Sequence, residues 1–137
     1  MLTKEKGDIA VADAIHFFTI NRYEVCLPIG DKRNYDLVVE KNYKLQTVQV
    51  KYAGIYPSKK DQCHVGLRIT GGNQSYSTAK KYLDDAFDLL FIYTGRGESY
   101  LIPWKDVKAR NDIWIEHPKY QRYNVTACRV SEVVKHD

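Results

Sequence analysis

The sequence predicts an α/β fold in which a central mixed β-sheet of about four to five strands carries a helix on one face. Three observations lead to this prediction. Apolar side chains recur at the period of a helix in the first twenty residues, residues 45–52 alternate as a strand does, and residues 88–93 form the most apolar run. Because no repeat, low-complexity tract or linker interrupts these segments, residues 1–137 are predicted to form one domain.

The first element is predicted to be a helix from Thr3 to about Ile20. Asn21-Arg22 follows the last residue of the pattern and is expected to end the helix. The apolar residues lie on one stripe of a 3.6-residue period, and this stripe is expected to pack on the sheet: Ile9, Val11, Ala14, Ile15 and Phe18.

Three strands are predicted to follow the helix. Residues 23–27 have a composition typical of strands, and residues 36–40 and 45–52 are separated only by the polar residues 41–44, which is typical of a hairpin. In the second arm of this hairpin, Val48 and Val50 share one face. Gln49 and Lys51 share the other face.

Residues 52–82 are predicted to form an extended basic hairpin or long loop that projects from the sheet. The only acid in this segment before residue 83 is Asp61, so its net charge is 5 − 1 = +4, which equals that of the whole chain. A basic projection permits nucleic-acid binding, and a solvated loop is the structural alternative. The five basic residues are Lys59, Lys60, Arg68, Lys80 and Lys81.

The remaining residues are predicted to complete the sheet. Residues 86–93 indicate a buried strand, and residues 100–102 are expected to pair with it through a turn at residues 95–98. Pro103-Trp104 is predicted to begin a short helix or turn. Residues 123–129 are a candidate for one more strand.

Composition limits the class of protein. With 44% apolar and 28% charged residues, the chain has enough apolar side chains for an ordinary core, and no apolar run approaches the ~20 residues of a membrane helix. Cys26, Cys63 and Cys128 are an odd number and contain no CxxC pair, which argues against a disulfide framework and against a structural zinc site. We therefore predict a cytoplasmic protein that does not associate with a membrane.

Candidate catalytic residues come together in the hairpin. Asp36 opens one arm, and Gln49 and Lys51 lie on one face of the other, so the three side chains can converge. Oxygen atoms of Asp36, Gln49 and the Val50 carbonyl suit a hard cation such as Mg²⁺, and Lys51 is placed to activate a water molecule. The structural alternatives are a turn-stabilising Asp36 and a solvated Lys51.

The sequence resembles the PD-(D/E)XK nuclease superfamily. Asp36, followed by Gln49-Val50-Lys51 and preceded by a helix that opens with Lys6-Gly7-Asp8, carries this resemblance. Residues 35–39, 48–53, 88–93 and 100–103 together are similar to its bacterial group I intron-encoded homing endonucleases, over about residues 6–104. The resemblance implies a restriction-endonuclease-like core in which helices flank the central mixed sheet.

Two positions depart from the pattern of the superfamily. Gln49 stands where Asp or Glu is usual, and a neutral amide holds a divalent cation less strongly than a carboxylate. Val11 stands where many relatives carry Glu. Asp8 lies on the same side of the helix as Val11 and Asp13 lies 160° away, so Asp8 is the predicted auxiliary acid and metal ligand. Its structural alternative is a favourable interaction with the helix dipole.

The resemblance implies site-specific, metal-dependent hydrolysis of double-stranded DNA, with Mg²⁺ as cofactor and Mn²⁺ as a plausible substitute. Asp36, Gln49, Val50 and Asp8 would hold the metal, and Lys51 would activate water. Residues 55–81 would contact DNA: Lys59, Lys60, Lys80 and Lys81 along phosphates, and Arg68, Asn73 and Gln74 as base readers. The alternatives are a structure-specific nuclease similar to Holliday-junction resolvases and a catalytically inactive DNA-binding module.

A duplex cut at a defined site usually requires two catalytic centres related by a two-fold axis, so we predict a homodimer or homotetramer. The aromatic and apolar region around residues 104–115 is the candidate interface, and ordinary core packing is the alternative for Trp114. The interface residues proposed are Trp104, Ile113, Trp114 and Ile115.

Overall fold

The computed structural model describes residues 1–69, 80–109 and 111–129, and it confirms the α/β prediction. Short 3₁₀ turns occur at Pro57–Lys59, Trp104–Asp106 and Pro118–Tyr123. The helix and the strands are, in chain order, α1 (Thr3–Ile20), β1 (Glu24–Cys26), β2 (Leu37–Lys41), β3 (Lys44–Tyr56), β4 (Gln62–Gly66), β5 (Arg68–Ile69), β6 (Lys80–Lys81), β7 (Leu89–Thr94), β8 (Ser99–Pro103) and β9 (Asp112–Trp114).

Helix α1 has the predicted bounds and packs on one face of the sheet. Its start is stabilised by the Leu2 N–H, which donates to the Glu5 carboxylate at 3.0 Å. Ala10 and Ala14 are fully buried, and these small side chains let the helix approach the strands closely. The core on this face contains α1 and the inward-facing residues of the central strands: Ala10, Ala14, Phe17, Phe18, Leu37, Val39, Val48, Val50, Leu89 and Phe91.

The central strand of the sheet is β3. One of its edges pairs in parallel with β7, from Val48 opposite Leu89 to Ala53 opposite Thr94. The other edge pairs antiparallel with β2 as far as Val48 and with β4 from Gly54 onward. Between β2 and β4, no strand of the described residues pairs with residues 49–53 on that edge.

Among the described residues the sheet has seven strands, more than the four to five predicted. Strand β3 continues to Tyr56, four residues beyond its predicted end, and this extension provides a pairing edge for β4. Strand β4 in turn pairs with β9. Cys63, Val65 and Leu67 are buried, so this part of the predicted projection belongs to the core.

Residues 123–129 do not form the predicted strand. A 3₁₀ turn ends at Tyr123, and only Asn124 forms a bridge, to Tyr100. The Asn124 side chain accepts from the Thr126 N–H at 2.9 Å, and such a local side-chain bond favours a turn over a strand. None of the described helices is long and apolar enough to cross a membrane.

The predicted interface is also wrong at three of its four residues. Trp104, Ile113 and Ile115 are buried in the core on the face of the sheet opposite α1, where the Trp104 ring lies 4.6 Å from that of Phe87. Trp114 is half-buried beside His117. An apolar and aromatic run suits a core as well as an interface, and here the pairing of β9 with β4 turns it inward.

Candidate active site

A tight hairpin turn sets the register of the candidate site. Lys41 pairs with Lys44, and the two residues between them, Asn42 and Tyr43, have φ values of 54° and 67°. Positive φ at both central residues is typical of a two-residue type I′ turn, whose twist suits the flanking strands. The register of β2 against β3 is thereby fixed, because the pairing runs without interruption from this turn to Leu37 opposite Val48.

Asp36 lies where β2 begins, beside the edge of β3 that lacks a neighbour. Its N–H donates to the Val48 carbonyl at 2.8 Å, although Val48 already pairs with Leu37. Asp36 and Leu37 therefore lie opposite the single residue Val48. This is the arrangement of a β-bulge, which changes the direction of a side chain. The Asp36 carboxylate turns along β3, and its Oδ2 accepts from the Val50 N–H at 2.9 Å.

The Val50 carbonyl points toward the same gap between β2 and β4. Thr47 and Ala53 accept hydrogen bonds from Asp88 and Gly95 on the β7 side, so the odd-numbered residues of β3 direct their main-chain groups to that side. Successive residues of a strand direct these groups to opposite edges. The N–H and C=O of Val50 therefore both face the Asp36 side.

Gln49 and Lys51 project from the face of β3 opposite α1, because Val48 and Val50 pack against α1 on the other face. Both side chains are half-buried. Burial lowers the pKa of Lys51, and the charge of Asp36 opposes this effect. Burial raises the pKa of Asp36, against the opposing effects of the Val50 N–H and Lys51. The acid and the amine thus lie within electrostatic reach of one another in a partly desolvated place.

Tyr82, which the sequence analysis did not single out, covers this pair. It is 6% exposed, and its ring centroid lies 5.4 Å from the Lys51 Nζ. Burial, and secondarily the charge of Asp36, raise the pKa of Tyr82 to about 12, so its hydroxyl stays neutral. Its contact with Lys51 joins residues 31 positions apart in sequence, and no motif marks it.

We expect Tyr82→Leu to lower kcat for DNA cleavage roughly ten- to a hundredfold with KM nearly unchanged, because Lys51 loses the ring that restricts its position. Tyr82→Phe keeps the ring and should retain most of the activity. Single-turnover and steady-state kinetics measure both variants, with thermal unfolding as the check on folding. Equal losses in both variants would show that the hydroxyl, and not the ring, is required.

The oxygen donors of the site fit a hard divalent cation. Asp36 supplies a carboxylate, Gln49 a side-chain amide and Val50 a carbonyl, and such a set favours Mg²⁺ or Mn²⁺ over metals that prefer nitrogen or sulfur. No group of three or more His, Cys, Asp or Glu side chains that could hold a metal occurs within residues 1–69, 80–109 and 111–129. A metal here would therefore have at most two carboxylate ligands, Asp36 and the predicted Asp8, with neutral oxygen atoms as the other protein ligands.

The two aspartates of α1 differ in their surroundings. Asp8 is exposed in the second turn, next to Gly7, which lines a cleft at the gap in the β3 edge. Asp13 accepts hydrogen bonds from Ser99 Oγ at 2.6 Å and Arg129 Nη2 at 2.7 Å. Asp13 therefore anchors residue 129 to the helix, and Asp8 stays the predicted auxiliary acid.

The structure describes the predicted DNA-contacting residues in two places. Lys59 and Lys60 are exposed after β3, with the Lys59 Nζ 3.8 Å from Asp112. Arg68 in β5 pairs with Lys81 in β6, and Ile69 pairs with Lys80, so a two-stranded stem exists as predicted. Asn73 and Gln74 lie outside the described residues. The sequence analysis assigned no DNA contact to Lys6, which lines the cleft, or to Lys32 and Arg33, which are exposed in the loop before Asp36.

The fold and the grouping of Asp36, Gln49 and Lys51 at a hairpin edge define a nuclease of the restriction-endonuclease-like class. A family model described as PD-(D/E)XK endonuclease matches residues 1–129, so the chain belongs to this family and is a nuclease. Among solved structures it is similar to a bacterial homing endonuclease, I-Ssp6803I, with a TM-score of 0.70, 29% identity, and coverage of 94% of this chain and 88% of that one. No curated protein matches the chain significantly.

Proposed function

We propose that the chain is a site-specific DNA endonuclease of the homing type, encoded within an intron and acting in the cytoplasm with Mg²⁺. The observation that carries the proposal is the Asp36 carboxylate, held at 2.9 Å by the Val50 N–H beside Gln49 and Lys51. The family generally uses divalent metals, which supports Mg²⁺ as the cofactor. One structural neighbour of the chain is a bacterial homing endonuclease, which supports cleavage of double-stranded DNA.

The roles of the residues follow from their positions. Asp36, Gln49 and the Val50 carbonyl would hold the cation, which when bound lowers the pKa of water and polarises the phosphoryl oxygens. Lys51 lies on the same face as Gln49, and burial lowers its pKa, so its amine is closer to accepting a proton from the attacking water than an exposed lysine is. Its charged form stabilises the negative charge that develops on the phosphate.

A nicking assay tests this function. Supercoiled plasmid carrying a library of genomic fragments is incubated with the protein in Mg²⁺, in Mn²⁺ or in EDTA, and the ends are mapped. We expect cuts at a defined site with either metal and none in EDTA. Cutting only at four-way junctions would favour the resolvase-like alternative. Binding without any cutting would favour the inactive module.

We propose a homodimer or homotetramer, since one centre per chain cuts one strand. Light scattering at micromolar concentration measures the oligomeric state of the free protein and of the protein bound to DNA. A monomer that cuts both strands at one site would contradict the proposal. Because Trp104, Ile113 and Ile115 are buried in the core, they do not form the interface between subunits.

Replacing Lys59 and Lys60 together by alanine should reduce the slope of log affinity against log salt by roughly one to two units, because each phosphate contact releases condensed counterion. Replacing Lys105 and Lys119, which are exposed outside the 52–82 segment, is the control for a loss of two charges. DNA affinity between 50 and 200 mM salt gives both slopes. Identical slopes would place the DNA contacts elsewhere.

We expect Asp8→Ala to lower the cleavage rate about tenfold or more without a change in stability, as the loss of an auxiliary acid would. Asp13→Ala should instead lower the free energy of unfolding by about 3 kcal/mol, because it leaves the Arg129 guanidinium without its carboxylate partner. Cleavage rates and urea unfolding of both variants separate the two roles. A small effect of Asp8→Ala on cleavage would assign Asp8 to the helix terminus only.

A further inference from the structure

A cleft of about 570 Å³ opens at the stretch of β3 that has no neighbouring strand. The start of α1 forms one wall, with Thr3, Lys6 and Gly7, and the end of β4 contributes Gly66. Val50 and Lys51 line its floor, so the cleft adjoins the candidate catalytic residues. Its volume lies in the range of pockets that hold small ligands.

Among the described residues, the charged side chains in the cleft wall are both positive. They belong to Lys6 and Lys51, and no carboxylate of the described residues lines the cleft, although the chain as a whole has 17 acids against 21 basic residues. Lys6 is half-buried, with its Nζ 5.8 Å from the centroid of the Tyr52 ring. An ammonium group kept partly from water without an acid in the same wall attracts an anion.

The two glycines of the cleft keep it open. Neither Gly7 nor Gly66 has a positive φ, so the main chain itself does not require glycine at either position. A Cβ built at either residue meets no atom of residues 1–69, 80–109 or 111–129 within 4 Å. Glycine inside a helix is less stable than alanine, so Gly7 has a structural disadvantage that packing does not explain. The space in front of it is the cleft.

We propose that this cleft binds a second phosphate of the DNA strand, adjacent to the phosphate that reacts, with Lys6 as its cationic ligand. Gly7 and Gly66 provide clearance for the sugar-phosphate chain. This inference rests on the proposed function, because it makes the bound anion part of the DNA that Asp36 and Lys51 act on. It assigns to α1 a role in positioning the substrate.

The test measures binding in EDTA, where no cutting occurs, with a 30-bp duplex that carries the mapped site or, if no site exists, generic duplex. Lys6→Met keeps the aliphatic stem over Tyr52 and removes the charge. Because one phosphate contact contributes a slope of about 0.9, affinity at 0.1 M salt should fall roughly tenfold and the salt slope by about one unit. Lys4→Met, on the exposed part of the same helix, should change neither the DNA affinity nor the salt slope by more than twofold.

Gly7→Leu tests the clearance. The melting temperature should rise by about 2–4 °C because leucine favours the helix, while DNA affinity should fall at least tenfold because the side chain fills the cleft. Ala12→Leu adds similar bulk to an exposed position of α1 outside the cleft and should leave affinity within twofold. Stability and affinity that move in opposite directions are not expected of a merely structural residue.

The proposal is overturned if Lys6→Met binds as Lys4→Met does, or if Gly7→Leu binds as tightly as the wild type. Failure of the proposed function gives a different result. In that case the wild type binds DNA and does not cut it in Mg²⁺ or Mn²⁺, irrespective of the DNA affinity of Lys6→Met. A scan of single methylphosphonate substitutions then identifies the phosphate, since its neutralisation should weaken the wild type and leave Lys6→Met unaffected.

Discussion

Lys51→Met is expected to lower the rate of DNA cleavage by about two to three orders of magnitude while DNA affinity stays within a few-fold. Lys51 lies beside Asp36 and under the Tyr82 ring, where its amine can serve the attacking water and the phosphate but is not assigned to base recognition. Methionine keeps the buried stem and removes the charge. Single-turnover cleavage and binding in EDTA measure the two effects separately.

Lys44→Met is the matched control for Lys51→Met, because Lys44 lies on the same strand and is exposed beside the hairpin turn. It should cut at nearly the wild-type rate. Since burial lowers the pKa of Lys51, its charged form is disfavoured in the folded protein, and Lys51→Met should unfold no more easily than the wild type. Near wild-type cleavage by Lys51→Met would show that the site is assigned wrongly.

Asp36→Asn is expected to lower cleavage by about two to three orders of magnitude, because the proposed metal site loses the carboxylate that lies beside Lys51. Asparagine retains a side-chain oxygen that can accept from the Val50 N–H, so the hairpin edge should persist. DNA affinity in EDTA should not fall. Asp31→Asn, in the exposed loop before Asp36, is the control for the loss of one negative charge.

The same variant has a pH dependence that follows from burial. Burial raises the pKa of Asp36 above its ordinary value of 3.8, so the folded state binds a proton more readily than the unfolded state does. The contribution of Asp36 to stability is therefore fully present below pH 3.8 and is lost as pH rises through the folded pKa. At pH 7, Asp36→Asn should be as stable as the wild type or more stable, by about 0.5–2 kcal/mol, and the difference should shrink toward pH 4.

Urea unfolding at pH 7 and at pH 4 measures this difference. A variant that gains stability and loses activity is typical of a functional site, where a charge is kept at a position that folding alone would not select. If Asp36→Asn were clearly less stable at pH 7, Asp36 would be a structural residue of the bulge.

The sequence predicted the elements whose periodicity is long or whose turns are specific. Helix α1 has the predicted bounds because its apolar stripe runs from Ile9 to Phe18 at one period, and the hairpin of β2 and β3 agrees because the polar residues 41–44 favour a tight turn. Asp36, Gln49 and Lys51 could be grouped because the register of a hairpin follows from its turn. The cleft wall at Lys6 could not be predicted from the sequence, because α1 contacts β3 only in the folded chain.

The wrong predictions about the strands and the interface have a common cause. Strands β4 and β9 have five and three residues, and they form because β3 runs past its predicted end and offers an edge. A short apolar stretch such as residues 113–115 has the same pattern in a strand core and in an interface. Tertiary packing decides between them, and here Ile113 and Ile115 are buried. The contact of Tyr82 with Lys51 likewise depends on tertiary packing, because the two residues lie 31 positions apart in the sequence.

The proposed function requires that a divalent cation binds at the edge of β3 beside Asp36 and contacts the DNA there. Iron-directed cleavage tests it most directly: Fe²⁺ replaces Mg²⁺ on the protein–DNA complex, and ascorbate with peroxide then cuts the chain next to the bound metal. We predict protein fragments that end near residue 36 and near residues 49–51, suppressed by excess Mg²⁺ and absent in Asp36→Asn. Mg²⁺-sensitive cuts confined to other parts of the chain, or unchanged in Asp36→Asn, would contradict it.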